Sequence, residues 1–216
     1  MSMLTLPITW FARLTLALLG WKLLEIPAER PRTYVAIMGH HTSHWDVAIG
    51  LLGYWALRVP FRVLVKKEMI DAPVLGPLVR ALGGIPVDRA NPGSLVNHCV
   101  NALHSGEMEA LVLAPSGTRS HRPGWKMGFY AMARRAKVPL MLNYLDYEKR
   151  EVGLGEPIWL SGDVDRDMAR IRCFYAQQTP KFPERFTPIR PLATSFDTQP
   201  AAQDEQDVTA GTVPAL

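Results

Sequence analysis

The chain has 216 residues, enough for one α/β domain with a real core, and its mixture of 48% hydrophobic and 20% charged residues is that of an ordinary globular protein. The net charge of +4 hides an asymmetry: no Lys or Arg follows Arg190, so residues 1–190 hold 24 bases against 16 acids, a net +8. A basic body of this kind favours anionic partners: nucleic acid, acidic lipid headgroups or phosphorylated substrates.

In chain order, residues 3–24 come first, an apolar run interrupted by Arg13 and Lys22. A spanning helix needs about 20 apolar residues with few charges, and Arg13 near the centre would be costly in hydrocarbon. A secretory signal fits poorly too, because no basic residue precedes the run and no small-residue cleavage site follows it. Trp10, Phe11, Leu14, Leu18 and Trp21 recur at helical spacing. They suit an amphipathic helix lying in a membrane interface, or, equally, a helix packed on the protein's own core.

Apolar strand-like runs then alternate with helical patterns. Strands are expected at Tyr34–Met38, Phe61–Val65, Ile85–Asp88, Ala110–Ala114 and Val138–Leu145, and helices near 44–57, 74–82, 93–104, 124–136 and 164–178. Continuously apolar strands point to a largely parallel sheet buried on both faces, hence a single α/β domain with flanking helices. The expected organisation is a membrane-associating segment over residues 1–30, the globular domain over 31–193 and a disordered acidic tail over 194–216. Cys99 and Cys173 form no CxxC pair, fall on predicted helices and are expected to be two buried free thiols in a reducing compartment.

In an open α/β sheet, ligands bind where strands end and helices begin. After the first strand comes Gly39-His-His-Thr-Ser-His-Trp-Asp46. A His beside a carboxylate at such a turn suits a general base, the carboxylate fixing the tautomer and stabilising the imidazolium. Helix capping by Thr42 or Ser43 ranks second. A zinc site built from His40, His41, His44 and Asp46 ranks third, because the spacing matches no common zinc pattern. After the third strand comes Gly83–Arg89 (GGIPVDR), and after the fourth Pro115–Ser120 (PSGTRS). Each carries one Arg that could clamp a phosphate, although a lone loop Arg is more often a surface ion-pair partner.

Taken together, these segments resemble the glycerolipid acyltransferase family, which includes the lysophosphatidic acid (1-acylglycerol-3-phosphate) acyltransferases. His41-Thr-Ser-His-Trp-Asp46 is similar to the family's H-x4-D motif, Gly83–Arg89 to its second motif, Pro115–Ser120 to its third and Val138-Pro139-Leu140 to its fourth, all in the family's order. The resemblance implies an O-acyltransferase that moves a fatty acyl group from acyl-CoA or acyl-carrier protein to a lysophospholipid hydroxyl, in phospholipid synthesis or remodelling. It implies His41 as base and Asp46 as its orienting partner, with no metal, no other cofactor and no acyl-enzyme. His40 and His44 lack the spacing to Asp46 and are neighbours. Arg89 and Arg119 would hold the acceptor phosphate, Gly117 and Thr118 would shape the loop, and Lys66 would add charge or lie in solvent as a surface lysine.

Two positions depart from the family pattern. Ser116 stands where most members have Glu, as in the plant plastid glycerol-3-phosphate acyltransferases, which opens the identity of the acceptor. Leu142 stands where the fourth motif often has a second proline. Glycerol 3-phosphate, a lyso-aminolipid and a glycolipid are alternative acceptors, and a non-catalytic membrane-binding relative is the rival of another class. Nucleic-acid binding has no helix-turn-helix, zinc-finger or RNA-binding aromatic motif behind it. The expected location is a membrane surface on the cytoplasmic side. Trp125–Phe129 begins a predicted helix and serves either as core or as part of an acyl-chain groove, and Gly153-Leu-Gly155 is only a fragment of a dinucleotide fingerprint.

Overall fold

The structure, a computed structural model, describes residues 5–87 and 92–192. Arg89 and the expected acidic tail lie outside them.

Seven strands form one sheet: β1 (Lys22–Leu23), β2 (Tyr34–Met38), β3 (Arg62–Lys66), β4 (Gly84–Val87), β5 (Ala110–Leu113), β6 (Leu140–Asp146) and β7 (Glu151–Leu154). Their order is β1-β7-β6-β2-β5-β3-β4. The five strands from β6 to β4 run parallel, whereas β7 pairs antiparallel with β6 and carries β1 parallel to itself at the edge. The apolar runs explain the centre. Tyr34, Val35, Ala36 and Ile37 are all buried, and alternate residues point to opposite faces of a strand. Val35 and Ile37 face one core layer with Leu103, Phe129, Met168 and Ile171, whereas Tyr34 and Ala36 face the other with Tyr54 and Val59.

The helices are α1 (Thr5–Leu18), α2 (Trp45–Ala56), α3 (Lys67–Asp71), α4 (Leu75–Ala81), α5 (Pro92–His104), α6 (Gly128–Ala136) and α7 (Val164–Tyr175). α7 starts where the Asp163 side chain accepts the Arg166 N–H, a helix N-cap. α6 ends at Lys137 in the left-handed region, and Val138 follows as the chain turns into β6. After α7, residues 179–192 run back as an irregular strap. Phe182 N–H donates to Thr42 Oγ1 (3.3 Å) and Arg122 N–H to Thr187 Oγ1 (3.2 Å). Trp125 N–H donates to the Arg190 carbonyl (2.8 Å).

The N-terminal segment forms α1, whose two faces differ. One face is packed: Thr9, Ala12 and Leu16 are buried, and Ala12 and Leu16 share a core layer with Ile49 and Ala56 of α2. The other face is bare: Trp10 is 70% exposed, Phe11 61% and Leu18 78%. Arg13 also has a structural use. Its Nε–H donates to the carbonyl of Ala56, the last residue of α2, at 3.2 Å, where a cation complements the negative end of the helix dipole. Trp21 does not join the bare face; it is half-buried against Tyr147. Among the described residues no helix is long and apolar enough to cross a membrane.

Two expectations need correction. Cys99 is buried, but Cys173 is exposed, because α7 buries Met168, Ile171 and Tyr175 and turns Cys173 to the other side. The helix expected from residue 124 begins at Gly128. Trp125 instead bridges to Pro191, and Trp125, Met127 and Phe129 are buried in the core.

Candidate active site

The parallel strands all end on one edge of the sheet, and the motif loops follow those ends. Ile37 pairs with Leu113, so the loops after β2 and β5 are neighbours. The loop after β2 begins at Gly39, whose hydrogen faces the Tyr175 ring so closely that a Cβ there would lie 2.6 Å from ring carbons. His40 follows with φ 56°, in the left-handed region. Its Nε2–H donates to the Tyr175 carbonyl at 2.7 Å, and its ring packs against Tyr175 and Phe186. Burial chiefly holds its imidazole below the usual value, against the opposing pull of that carbonyl. The turn then aims His41 back at α2.

His41 Nδ1 lies 3.1 Å from Asp46 Oδ2. Asp46 sits in the first turn of α2, buried, where the helix dipole favours a negative charge. The same Oδ2 accepts the N–H groups of Thr42 and Ser43, each at 2.8 Å, and Oδ1 accepts the Tyr147 hydroxyl at 2.6 Å. Burial by itself would push this carboxyl up. The bonds from His41, Tyr147 and Ser43 outweigh burial and hold it below the usual carboxylate range, so it is ionised at neutral pH. With Nδ1–H committed to the carboxylate, His41 Nε2 carries the lone pair, the arrangement a general base requires. His44 is exposed and starts α2 without a side-chain cap, and Ser43 Oγ accepts the Trp45 N–H. Among the described residues no group of three or more His, Cys, Asp or Glu side chains is placed to hold a metal ion.

Met38, His40, His41, Thr42, Ser116, Trp125 and Thr187 line one small crevice. The third motif thus meets the first. Ser116 is buried and its hydroxyl donates to the Thr118 carbonyl at 2.8 Å. Gly117, at φ 63°, supplies the left-handed residue of that turn, and Thr118 Oγ1 accepts the Ser120 N–H. Arg119 is half-exposed, and no hydrogen bond or ion pair joins it to another described residue. Lys66 ends β3, exposed, two strands from β2, or roughly 10 Å laterally. Arg89 lies outside the described residues.

Tyr147, Lys181 and Arg185 were not expected near this site. Tyr147 stands on the β6–β7 hairpin, which Asp146 tightens by accepting the N–H groups of Glu148 and Lys149. Lys181 Nζ lies 5.4 Å from the Trp45 ring centroid and 5.6 Å from that of Tyr147. Arg185 stacks on Phe182 and reaches the Thr42 carbonyl. Only the basic composition of residues 181–190 hinted at Lys181 and Arg185, and nothing local hinted at Tyr147.

The chain resembles known proteins at several levels. It is 28% identical over 148 residues to a 1-acyl-sn-glycerol-3-phosphate acyltransferase of Streptococcus pneumoniae, covering 63% of this chain and 54% of that one. It is 33% identical over 101 residues to the protein of that name from Bacillus subtilis, covering 46% and 49%. The chain therefore spans about half the length of these curated relatives. Its fold is similar to that of the crystal structure of the 1-acyl-sn-glycerophosphate (LPA) acyltransferase PlsC from Thermotoga maritima, with a TM-score of 0.55 and 14% identity over 82% of this chain and 81% of that one. Residues 25–141, more than half of the chain and all of the His41, Asp46 and Ser116–Arg119 segments, match the acyltransferase family, and to that family the chain belongs.

Proposed function

We propose that this acyltransferase moves a fatty acyl group from acyl-CoA or acyl-carrier protein to the hydroxyl of a lysophospholipid, with lysophosphatidic acid as the first acceptor to test. The observation that carries the reading is the His41–Asp46 pair, 3.1 Å apart, in a crevice shared with Ser116 of the third motif. His41 Nε2 takes the proton of the acceptor hydroxyl, and the oxygen attacks the thioester carbonyl. The tetrahedral intermediate collapses, breaking the carbon–sulfur bond, and the departing thiolate receives the proton from His41. Asp46 stabilises the imidazolium between the two steps.

Arg119, on the loop after β5, and Lys66, at the end of β3, would supply positive charge to the acceptor site; Arg89, expected to join them, lies outside the described residues. These cations suit a phosphate on the acceptor, Arg119 by a bidentate clamp. Gly117 and Thr118 hold the loop, and Ser116 leaves room where a Glu would bring a negative charge. The bare apolar face of α1 suits the interfacial layer of a membrane, taken here as the cytoplasmic side, which would bring the site to its lipid substrate.

The test is an acyl-transfer assay in vesicles with labelled acyl-CoA, repeated with acyl-carrier protein. The acceptors are lysophosphatidic acid, glycerol 3-phosphate, lysophosphatidylethanolamine and a lyso-aminolipid. A product formed by the wild type and lost in His41→Ala supports the reading and names the acceptor. Product formation that persists in a folded His41→Ala protein removes His41 from the chemistry.

A further inference from the structure

We propose that Tyr147 is a positioning residue of the dyad, and that Trp21, from the segment joining α1 to β1, holds it in place. The proposal rests on the reading of His41 and Asp46 given above. The geometry has three parts. First, the phenol hydroxyl of Tyr147 donates to Asp46 Oδ1 at 2.6 Å, shorter than the 3.1 Å between His41 and Oδ2. The two carboxylate oxygens are thereby divided: Oδ2 serves His41 and the two backbone N–H groups, and Oδ1 serves Tyr147. A carboxylate gripped at both oxygens cannot rotate about its terminal bond, so the acceptor presented to His41 is fixed.

Second, the bond is one-way. Burial, then the Asp46 carboxylate, push the Tyr147 hydroxyl well above its ordinary value, so it stays protonated and acts as a donor at any physiological pH. Third, the ring is bracketed. Trp21 meets it edge-on, centroids 5.0 Å apart at 87°, and Lys181 Nζ lies 5.6 Å from its centroid. The Tyr147 N–H is tied to the Thr179 carbonyl at 2.9 Å. The charged and titratable groups facing Asp46 are thus His41 and Tyr147, with Lys181 beyond the phenol ring and Arg185 at the Thr42 carbonyl.

A path of direct contacts therefore runs from the α1 end of the chain to the catalytic base. Trp21 N–H donates to the Leu16 carbonyl of α1, Trp21 touches Tyr147, Tyr147 binds Asp46, and Asp46 binds His41. Seating of α1 on α2 and orientation of the base are coupled through one aromatic contact.

The test compares the full chain with Tyr147→Phe and Trp21→Leu. In Tyr147→Phe, kcat should fall roughly 10- to 100-fold, the scale for removal of an outer hydrogen bond that orients a functional site, while the KM values for donor and acceptor change little. The acid limb of its kcat profile should move to higher pH, because Asp46 relieved of one donor holds the imidazolium proton harder. Trp21→Leu, which keeps the hydroxyl but frees the ring, should show the same changes more weakly and guards against a Tyr147→Phe protein that does not fold. A readout without substrate separates this proposal from the proposed activity: the His41 Nδ1 proton, identified in NMR spectra by its absence from His41→Ala, should change its chemical shift in both variants. If the wild type transfers no acyl group to any acceptor, the activity reading falls and the NMR comparison still decides the role of Tyr147. Folded Tyr147→Phe protein with a wild-type His41 resonance, or with a wild-type kcat profile, overturns it; an unaltered Trp21→Leu overturns the coupling to α1.

Discussion

His41 and Asp46 are joined through Nδ1 and Oδ2 at 3.1 Å, and the oxygen that His41 uses is the one that also accepts the Thr42 and Ser43 N–H groups. This sharing determines what Asp46→Asn would do. The two backbone donors require an acceptor at the Oδ2 position, so the amide oxygen of an Asn would sit there and its NH2 would face Tyr147. The tautomer of His41 survives and the negative charge does not. Turnover should then fall by roughly 10²-fold, near the lower end of what a positioned base contributes. Asp46→Ala, which loses orientation as well as charge, should fall further. Steady-state kcat for both variants at saturating acceptor checks this, and equal values would show that charge is the whole of the contribution.

The parts of this site that lie close together in sequence were legible there. Four residues separate His41 from Asp46, and one helical start places them together. The apolar runs at Tyr34–Met38 and Ala110–Leu113 identified the central strands because strands covered on both faces carry little polarity. β7 escaped notice because Glu151–Leu154 is four residues long, with a charge and a glycine, and α3 because five residues show no period. Cys173 could have been placed correctly: it follows buried Ile171 by two positions, about 200° around a helix. Tyr147 is different. It reaches Asp46 across 101 positions of sequence, and its partner is fixed by the order of strands, which no local pattern encodes.

Arg119 stands half-exposed on the loop after β5, with no partner among the described residues. If it holds the acceptor phosphate, Arg119→Ala removes a charge-assisted pair of about 1.5–3 kcal/mol, or roughly 10- to 150-fold in affinity. The KM for a phosphorylated acceptor should rise by that order while the KM for the acyl donor stays within about threefold, since a loop Arg on the acceptor has no reason to touch the thioester. Initial-rate kinetics with each substrate varied separately decide it, and equal increases in both would place Arg119 elsewhere.

The two faces of α1 can be tested independently. Trp10 and Leu14 are exposed and, unlike Ala12 and Leu16, make no part of the packed layer against α2. Replacing both with Ser should leave the melting temperature near that of the wild type. It should also remove about 3–6 kcal/mol of apolar burial from a membrane-inserted face, so co-sedimentation with anionic vesicles should drop at least 100-fold. Arg13→Ala should do the opposite, lowering the melting temperature by loss of the Ala56 contact with less effect on sedimentation. A Trp10→Ser/Leu14→Ser protein that still sediments fully would remove α1 from membrane binding.

Acid should weaken the fold through Asp167. This carboxylate is buried at the start of α7, where Oδ2 accepts the Tyr130 hydroxyl at 2.8 Å and the Ser161 N–H at 2.9 Å, and Oδ1 accepts the Ser161 hydroxyl at 3.0 Å. Burial would raise its pKa, but these bonds outweigh burial and lower it below the ordinary 3.8. Folding therefore favours the ionised form. The stabilisation is fully present above about pH 4, where the unfolded carboxyl has also ionised, and drains away as pH falls through the lower folded value. Asp46 and Asp146 share the same direction, so the wild type should lose melting temperature steeply below pH 4. Asp167→Asn should cost about 2 kcal/mol at pH 7, roughly 4–8 °C for a domain of this size, and should show a shallower acid slope because one of the three linked carboxyls is gone. Calorimetric melts of both proteins between pH 7 and pH 3 measure the two slopes; identical slopes would mean that Asp167 titrates alike in the folded and unfolded chains.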